Sequence, residues 1–338
     1  MNEQALLQAA SHGDQQAFER LIAPSRAELH AHCYRMLASV ADAEDALQDA
    51  LLNAWRGLPR FEGRSAFRSW LYSIATNACL KAIERRPKRV LPIDYGPASD
   101  PHDGPGKPLV ESVWVEPYPD ESLGIEDGPA APAARYEQRE GVELAFIAAL
   151  QYLPASQRAV LILREVLGFS AREVAAILAT TPASVNSSMQ RARKTVDERL
   201  PERSQQATLR ALGDERLNEM VAAYVDAWQR HDIDAVVAML AEDATIAMPP
   251  MASWFSGRDA VTAFLRGWPF AGNRAWHLVP IRASGQIAFA HYMDDGEGGF
   301  EPHGINVLTL EGDQIREITA FLGPESHERF GLSARVQA

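Results

Sequence analysis

Residues 169–193 read FSAREVAAILATTPASVNSSMQRAR. Ser170 stands just before an apolar-periodic run and Glu173 follows three residues later, the spacing of a capping box at a helix start. Thr181-Pro182 repeats the signal: a hydroxyl N-cap, then a proline at the first helical position, where its missing N–H costs nothing. Two short helices joined by Thr180-Thr181 make a helix–turn–helix. Val174, Ala175 and Leu178 of the first helix, with Val185 and Met189 of the second, form its inward side. The outward side of the second helix carries Ser184, Asn186, Ser187, Gln190, Arg191, Arg193 and Lys194, with Thr181 at its start. Serine, asparagine, glutamine and arginine read base edges and hold phosphates, and the helix N-terminus adds free N–H groups for an anion. The same pattern also describes a plain helical hairpin.

Upstream, apolar residues recur at helical spacing from residue 3 to about 86. Val40-Ala41-Asp42 reads as a turn, with Asp42 as the N-cap of a helix to about Gly57. That helix puts Asp42, Glu44, Asp45, Gln48 and Asp49 on one side, and Leu47, Leu51 and Trp55 at helical spacing. Such charges make either a solvated face or a partner-docking face. Residues 58–64 break the pattern, and a helix from about Ser65 to Arg86 follows. Between 60 and 90 the net charge is +6, with Phe61, Phe67, Trp70 and Tyr72 interleaved among the cations. Stacking groups beside phosphate-holding groups suit single-stranded nucleic acid, although Phe67 and Trp70 also read as core.

Residues 90–134 are rich in proline and carry net charge −8 from 91 onward, the composition of a linker. Within them, Trp114-Val115-Glu116-Pro117-Tyr118-Pro119-Asp120 holds two aromatics that a freely solvated linker would not need, so a docked segment is expected. After residue 204 two helices (about 213–230 and 233–241) precede a strand at Thr245–Met248. A short helix follows at about 258–267, then four strands near 275–283, 286–293, 303–310 and 314–322. Helices first and an antiparallel sheet after predict an α+β domain.

The chain has 338 residues, 46% hydrophobic and 23% charged, and a net charge of −12. Taken alone, the charge argues against nucleic-acid binding; its uneven distribution does not. Two cysteines rule out a disulfide framework and fit a reducing cytoplasm. The polar N-terminus has no signal-peptide pattern, and no apolar run is long enough to span a bilayer. Phosphate-loop, dinucleotide and hydrolase motifs are absent from the sequence, and no metal or cofactor is expected.

Three of these segments, in this order, resemble extracytoplasmic-function sigma factors of the sigma-70 family. Residues 42–55 (DAEDALQDALLNAW) look like the helix that binds core polymerase. Residues 61–77 (FEGRSAFRSWLYSIATN), ending in Glu84-Arg85-Arg86, look like the minus-ten recognition region. Residues 153–160 (LPASQRAV) through Arg193 look like the minus-thirty-five domain. The remainder resembles SnoaL-like domains with a cone fold, on residues 241–250 (AEDATIAMPP), Trp254 and Gly257-Arg258. The linker's tryptophan–proline stretch is similar to that of sigma factors carrying such a fusion.

The resemblance implies a multi-domain chain: two all-α modules that bind polymerase and DNA, the second with the helix–turn–helix, then an α+β cone. The expected boundaries are 1–89, a linker over 90–134, 135–204 and 205–338. It implies promoter-specific transcription initiation, with the clamp of the largest polymerase subunit and promoter DNA as partners, no membrane, and a cytoplasmic location. Asp45, Gln48, Asp49, Leu52 and Trp55 would meet polymerase. Phe61, Arg64, Ser65, Asn77, Lys81, Arg85 and Arg86 would meet the minus-ten element, where an extruded base costs unstacking that a pocket offsets. Thr181, Ser184, Asn186, Ser187, Gln190, Arg191, Arg193 and Lys194 would meet the minus-thirty-five groove. Trp114, Pro117, Tyr118 and Pro119 would form a regulatory linker, with the C-terminal domain acting in cis. Trp228, Trp254, Trp276, Tyr292, His303 and Asn306 would line a pocket for a small apolar ligand or for the linker itself. Two other readings stand beside this one: a ligand-sensing DNA-binding regulator that needs no polymerase, and a cyclase or isomerase using His231, His277, Asp294 or His303.

Overall fold

The computed structural model describes residues 2–63, 65–109, 113–123, 138–272 and 274–337. They fall into two compact units, each built from separate pieces of chain. One comprises described residues of 1–89 and 121–200, the other those of 90–120 and 201–338. The two helical segments read above as separate domains therefore share one unit. The proline-rich stretch divides at residue 120, and its first part belongs with the C-terminal sheet.

In the first unit, α1 (Glu3–Ser11), α2 (Gln15–Ile22), α3 (Arg26–Leu37), α4 (Val40–Gly57) and α5 (Phe67–Ile83) pack around Tyr34, Met36, Ala43, Leu71 and Ala75. The N-cap of α4 is Ser39, whose hydroxyl accepts from Asp42 N–H. Asp42 is not the cap the sequence led us to expect. It lies inside the first turn and is buried. A short helical turn, α6 (Pro92–Tyr95), opens the second unit's first segment. The first unit resumes with α7 (Leu144–Gln151), α8 (Ala155–Leu161) continuing into a π-turn at Ile162–Val166, α9 (Ala171–Ile177) and α10 (Pro182–Asp197). The capping box of α9 is present as read, and Thr181 caps α10.

A polar skeleton fastens these helices. The buried Arg158 guanidinium donates to Met36 O (2.5 Å), Gln151 Oε1 (2.6 Å) and Leu153 O (3.3 Å). Arg35 Nε donates to Gly141 O at 2.9 Å. His32 Nε2 and Thr76 Oγ1, both fully buried, are 2.9 Å apart, and burial pushes the His32 imidazole down to about 3. The Tyr72 and Phe169 rings meet edge to face at 5.1 Å.

The second unit is a curved mixed sheet covered by helices. Its strands are β1 (Leu240–Ala247), β2 (Trp254–Ser256), β3 (Trp276–Ala283), β4 (Gln286–Asp294), β5 (Gly299–Glu311), β6 (Gln314–Leu322) and β7 (Val336–Gln337). The order is β2-β1-β6-β5-β4-β3, with β7 on β5. All pairs are antiparallel except β1 with β6, which run parallel, so the expectation of a purely antiparallel sheet is corrected. The α11–β1 chain explains this: α11 (Gln205–Gln229) and α12 (Ile233–Ala238) carry the chain across before β1 enters beside the last long strand. Helix α11 bends at Gly213, whose φ of 75° is left-handed, so a helical segment starting eight residues earlier than expected precedes the bend. Helix α13 (Arg258–Gly267) packs Val261, Phe264 and Leu265 inward, and α14 (Glu325–Arg329) lies between β6 and β7.

The described residues of 90–120 run over this unit as a strap. Trp114 Nε1 donates to Pro250 O (3.0 Å), Leu109 N–H to Pro250 O (3.0 Å) and Ser99 N–H to Trp254 O (2.8 Å). At the far end, Tyr118 N–H donates to Ser284 Oγ (3.0 Å), Ser284 N–H to Tyr118 O (2.7 Å), and Gly285 N–H to an Asp120 carboxylate oxygen (2.7 Å). Trp114, Pro117, Tyr118 and Pro119 are all buried, Tyr118 completely. A segment with these backbone pairs and two buried aromatics is a docked layer of the fold, not a free linker.

Candidate functional site

Three surfaces gather the residues singled out by the sequence. The first is a groove of about 550 Å³ between α4 and α5. Asp45, Gln48 and Asp49 line one wall; Asn77, Lys81, Arg85 and Arg86 line the other. Helical spacing puts each set on one helix side, and the α4–α5 packing makes the two sides face each other. The walls are already bonded together. Asp42, at the groove's end, pairs with Arg86 and, at 2.6 Å, with Arg89, and Arg86 also reaches Asp45 at 3.6 Å. The Asp42 and Arg89 side chains are each only 7% exposed, so this pair sits in a low-dielectric setting where a lone charge is costly. Leu52 continues α4 outward with 47% exposure, an apolar side chain with no core role. Trp55 is half-buried, its ring edge-on to Phe18 at 5.2 Å. Phe61 joins Phe67 and Trp70 in an aromatic cluster at 4.9–5.9 Å. Trp70, expected in the core, is half-buried there. Ser65 is exposed beside the cluster, and Arg64 lies outside the described residues.

The second surface is the outer side of α10. Thr181, Ser184, Asn186, Ser187, Gln190, Arg191, Arg193 and Lys194 are all exposed, while Val185, Met189, Ala192 and Val196 are buried. Arg193 pairs with Glu165 of the π-turn, and Arg191 donates to Ser188 Oγ at 3.3 Å. On α9 Val174 and Ala175 are buried as expected, and Ile177 with them; Leu178, expected inward, is half-buried as the C-cap residue.

The third is a cavity of about 190 Å³ inside the cone of the second unit. Trp228, Trp276, His303 and Asn306 line it as expected. Trp254 and Tyr292 do not, which corrects that part of the pocket expectation. Trp254 donates through Nε1 to Gly96 O at 2.8 Å and so serves the strap. The Tyr292 hydroxyl donates to Ser333 O at 3.1 Å on the other side of β4. Its neighbour His291, which sequence reasoning missed, lines the cavity instead. Burial holds the His291 imidazole well below its ordinary range, with the nearby His303 and His327 acting in the same direction, and it holds His303 lower too. Of the four acid–base candidates only His303 reaches the cavity. His231 is bonded to Phe270 O at 2.8 Å, His277 packs on Phe300, and Asp294 is exposed. No carboxylate is among the described residues that line the cavity.

Comparison with known proteins bears on all three surfaces. The Sigma-70 region 2 family matches residues 21–89, the Sigma-70 region 4 family residues 143–196, and the SnoaL-like domain family residues 221–318. The ECF RNA polymerase sigma factor SigG of Mycobacterium tuberculosis is 39% identical over 311 residues, 91% of this chain and 82% of that protein. The ECF RNA polymerase sigma-E factor of Escherichia coli K12 is 30% identical over 203 residues, 59% of this chain and 95% of that protein. Among solved structures, the extracytoplasmic function sigma factor SigJ of Mycobacterium tuberculosis aligns with a TM-score of 0.54 at 21% identity, over 91% of this chain and 97% of that one, a likeness of fold.

Proposed function

The chain belongs to the extracytoplasmic-function RNA polymerase sigma factors, and from that membership we propose how its surfaces divide the work of directing transcription initiation. Helix α4 docks on the clamp of the largest polymerase subunit through Asp45, Gln48, Asp49, Leu52 and Trp55. The segment from Phe61 to Ser65, Arg64 included, captures minus-ten bases with Asn77, while Lys81, Arg85 and Arg86 hold phosphates. Helix α10 enters the minus-thirty-five major groove, Gln190 and Asn186 toward base edges, Arg191, Arg193 and Lys194 toward the backbone. The observation that carries this reading is the uniform exposure of eight polar side chains along α10 above a fully apolar inner side.

Names of the two elements imply a separation of about 25 base pairs, or about 85 Å at 3.4 Å per base pair. Within the first unit, Arg158, Arg35 and a Ser73 Oγ bond to Ile177 O (3.4 Å) hold the two helical modules together. Reading both elements at once requires those bonds to open. The overall charge of −12 limits nonspecific DNA binding by the free protein. A cytoplasmic location and a non-catalytic role accord with this function.

The strap and the C-terminal unit modulate the activity in cis. Residue 89 ends one unit and residue 90 begins the other, so any change in the strap's hold passes covalently to Arg89 and its Asp42 pair. The test is transcription in vitro from a cognate promoter with purified core polymerase. Trp114→Ala and a chain ending at residue 204 are expected to change output several-fold relative to the intact protein. Equal output from all three overturns modulation while leaving the sigma activity intact. Loss of core-polymerase retention in Asp45→Ala/Asp49→Ala tests the docking helix separately.

A further inference from the structure

We propose that the helical unit binds a compact diphosphate anion, free or as the tail of a nucleotide, in a basic cavity at the joint between its two helical modules, and that the bound anion keeps the joint closed. The binding stands on the cavity alone; its effect on promoter reading rests on the proposal above that the modules part.

The cavity measures about 290 Å³ and adjoins the α4–α5 groove, sharing Asp42 and Arg86 with it. Its walls come from both modules: Leu37 and Arg89 belong to the first, Leu153 and Arg158 to the second. Four cations line it, Arg86, Lys88, Arg89 and Arg158, against one carboxylate among the described residues, Asp42.

Arg158 decides the sign of the site. It is 5% exposed, and its guanidinium donates only to carbonyl oxygens: Met36 O, Gln151 Oε1 and O, and Leu153 O. Neutral dipoles satisfy its N–H groups and leave its charge unbalanced. Burial pulls the guanidinium down to about 10, so it remains protonated at neutral pH. A buried cation without a counter-ion is costly, and an anion beside it reduces that cost. Arg89 strengthens the same field. Its side chain is buried, and it shares Asp42 with Arg86, so one carboxylate answers two guanidinium groups.

The groups that reach the anion are Arg86 and Lys88, both exposed. When Arg86 turns to a phosphoryl oxygen, Asp42 keeps its 2.6 Å bond to Arg89. The Lys88 ammonium stands 3.2 Å from the centroid of the Tyr152 ring, a cation of the first module held over an aromatic face of the second. Guanidinium and ammonium groups at the mouth, with two buried guanidinium charges behind them, match multiply charged phosphoryl oxygens. The volume lies at the small end of ligand sites, roughly 300–1,000 Å³, so two phosphoryl groups fill it and a nucleoside would project outward. Because the walls belong to both modules, the site exists only while the joint is closed. An occupant shifts the equilibrium toward that arrangement by its differential affinity.

The experiment is calorimetric titration of the full chain, at fixed ionic strength, with pyrophosphate, GDP, orthophosphate and a thymidine decanucleotide. Saturable one-to-one binding of pyrophosphate is expected, at least about tenfold tighter than orthophosphate, the factor one further charge-assisted hydrogen bond supplies. GDP binding more tightly than pyrophosphate identifies a nucleotide as the source; the reverse order identifies the free anion. Lys88→Gln should weaken pyrophosphate about tenfold, whereas Lys107→Gln, the same loss of charge in the other unit, should leave it unchanged. Amide hydrogen exchange should slow with pyrophosphate in both 82–89 and 149–158. No saturable binding, or equal weakening by the two lysine variants, overturns the site. Orthophosphate binding as tightly as pyrophosphate overturns the diphosphate assignment. Displacement of pyrophosphate by a tighter-binding decanucleotide assigns the cavity to the DNA backbone and overturns the small anion. Slowing confined to 82–89 overturns closure of the joint. None of these readouts uses polymerase or a promoter, so failure of this site and failure of the reading on which its effect rests are told apart.

Discussion

On α10 the polar side chains stand in solvent, whereas in the α4–α5 groove Asp42 is already bonded to Arg86 and Arg89 from across the groove. The outer side of α10 and the α5 wall of the groove are both proposed to meet nucleic acid, yet their charges are stored differently. On α10 the exposed polar groups are held by surface contacts such as the Arg193–Glu165 pair and the Arg191–Ser188 bond, so a partner docking there would displace little. The groove is self-neutralised, so a phosphate or a polymerase side chain must exchange with an existing ion pair.

The sharpest way to break this contrast is Asp42→Ala. It removes the carboxylate paired with the buried Arg89 guanidinium, and the expected loss is about 3–5 kcal/mol of stability, measured by urea unfolding. A loss below about 1 kcal/mol would mean the groove pairs are as dispensable as surface ones. Gln190→Ala should alter minus-thirty-five base preference by about 1–3 kcal/mol in a binding selection over base variants. An unaltered preference would place the reading edge elsewhere on α10. The pH dependence probes the packing behind the groove. His32 takes up a proton near its ordinary value of 6.5 when unfolded but only near about 3 when folded. Between those values the unfolded state binds more protons, so stability falls as pH falls, by about 2 kcal/mol from pH 7 to pH 5, and flattens below about pH 3. His32→Gln, measured at both pH values, should lose most of that slope. The smallest effect belongs to the exposed pair: Glu165→Ala should cost under about 1 kcal/mol, and freeing Arg193 should slightly raise DNA affinity at low salt.

Local rules made much of this legible. The capping box at Ser170 and Glu173, the Thr181-Pro182 start and the buried Val185–Met189 side follow from short-range spacing, and the structure has them. What failed to show depended on partners far along the chain. Asp42 looked like a helix cap because caps are local; its pairing with Arg89 lies 47 residues away. The strap read as a linker because its composition carries no periodicity, although its two aromatics pointed to docking. In β4, residues 286–292 are buried on both sides, so the alternation that distinguishes a cavity-facing residue from its neighbour was absent, and Tyr292 was chosen over His291. The parallel β1–β6 pair was hidden for the same reason: pairing direction is set by helices that carry the chain, not by the strand's own residues.

The strap also orders events during synthesis. Tyr118 and Ser284 are 166 positions apart. At about 5–20 residues per second, a ribosome takes about 8–33 s to make the platform after it has made the strap. The helical unit is complete at residue 200, before β1 exists. Each new molecule thus spends its first seconds with Trp114 and Tyr118 undocked and both helical modules already emerged. Ribosome pausing between residues 200 and 290 would lengthen that interval, making translation speed itself an input to how quickly the nascent protein comes under its own restraint.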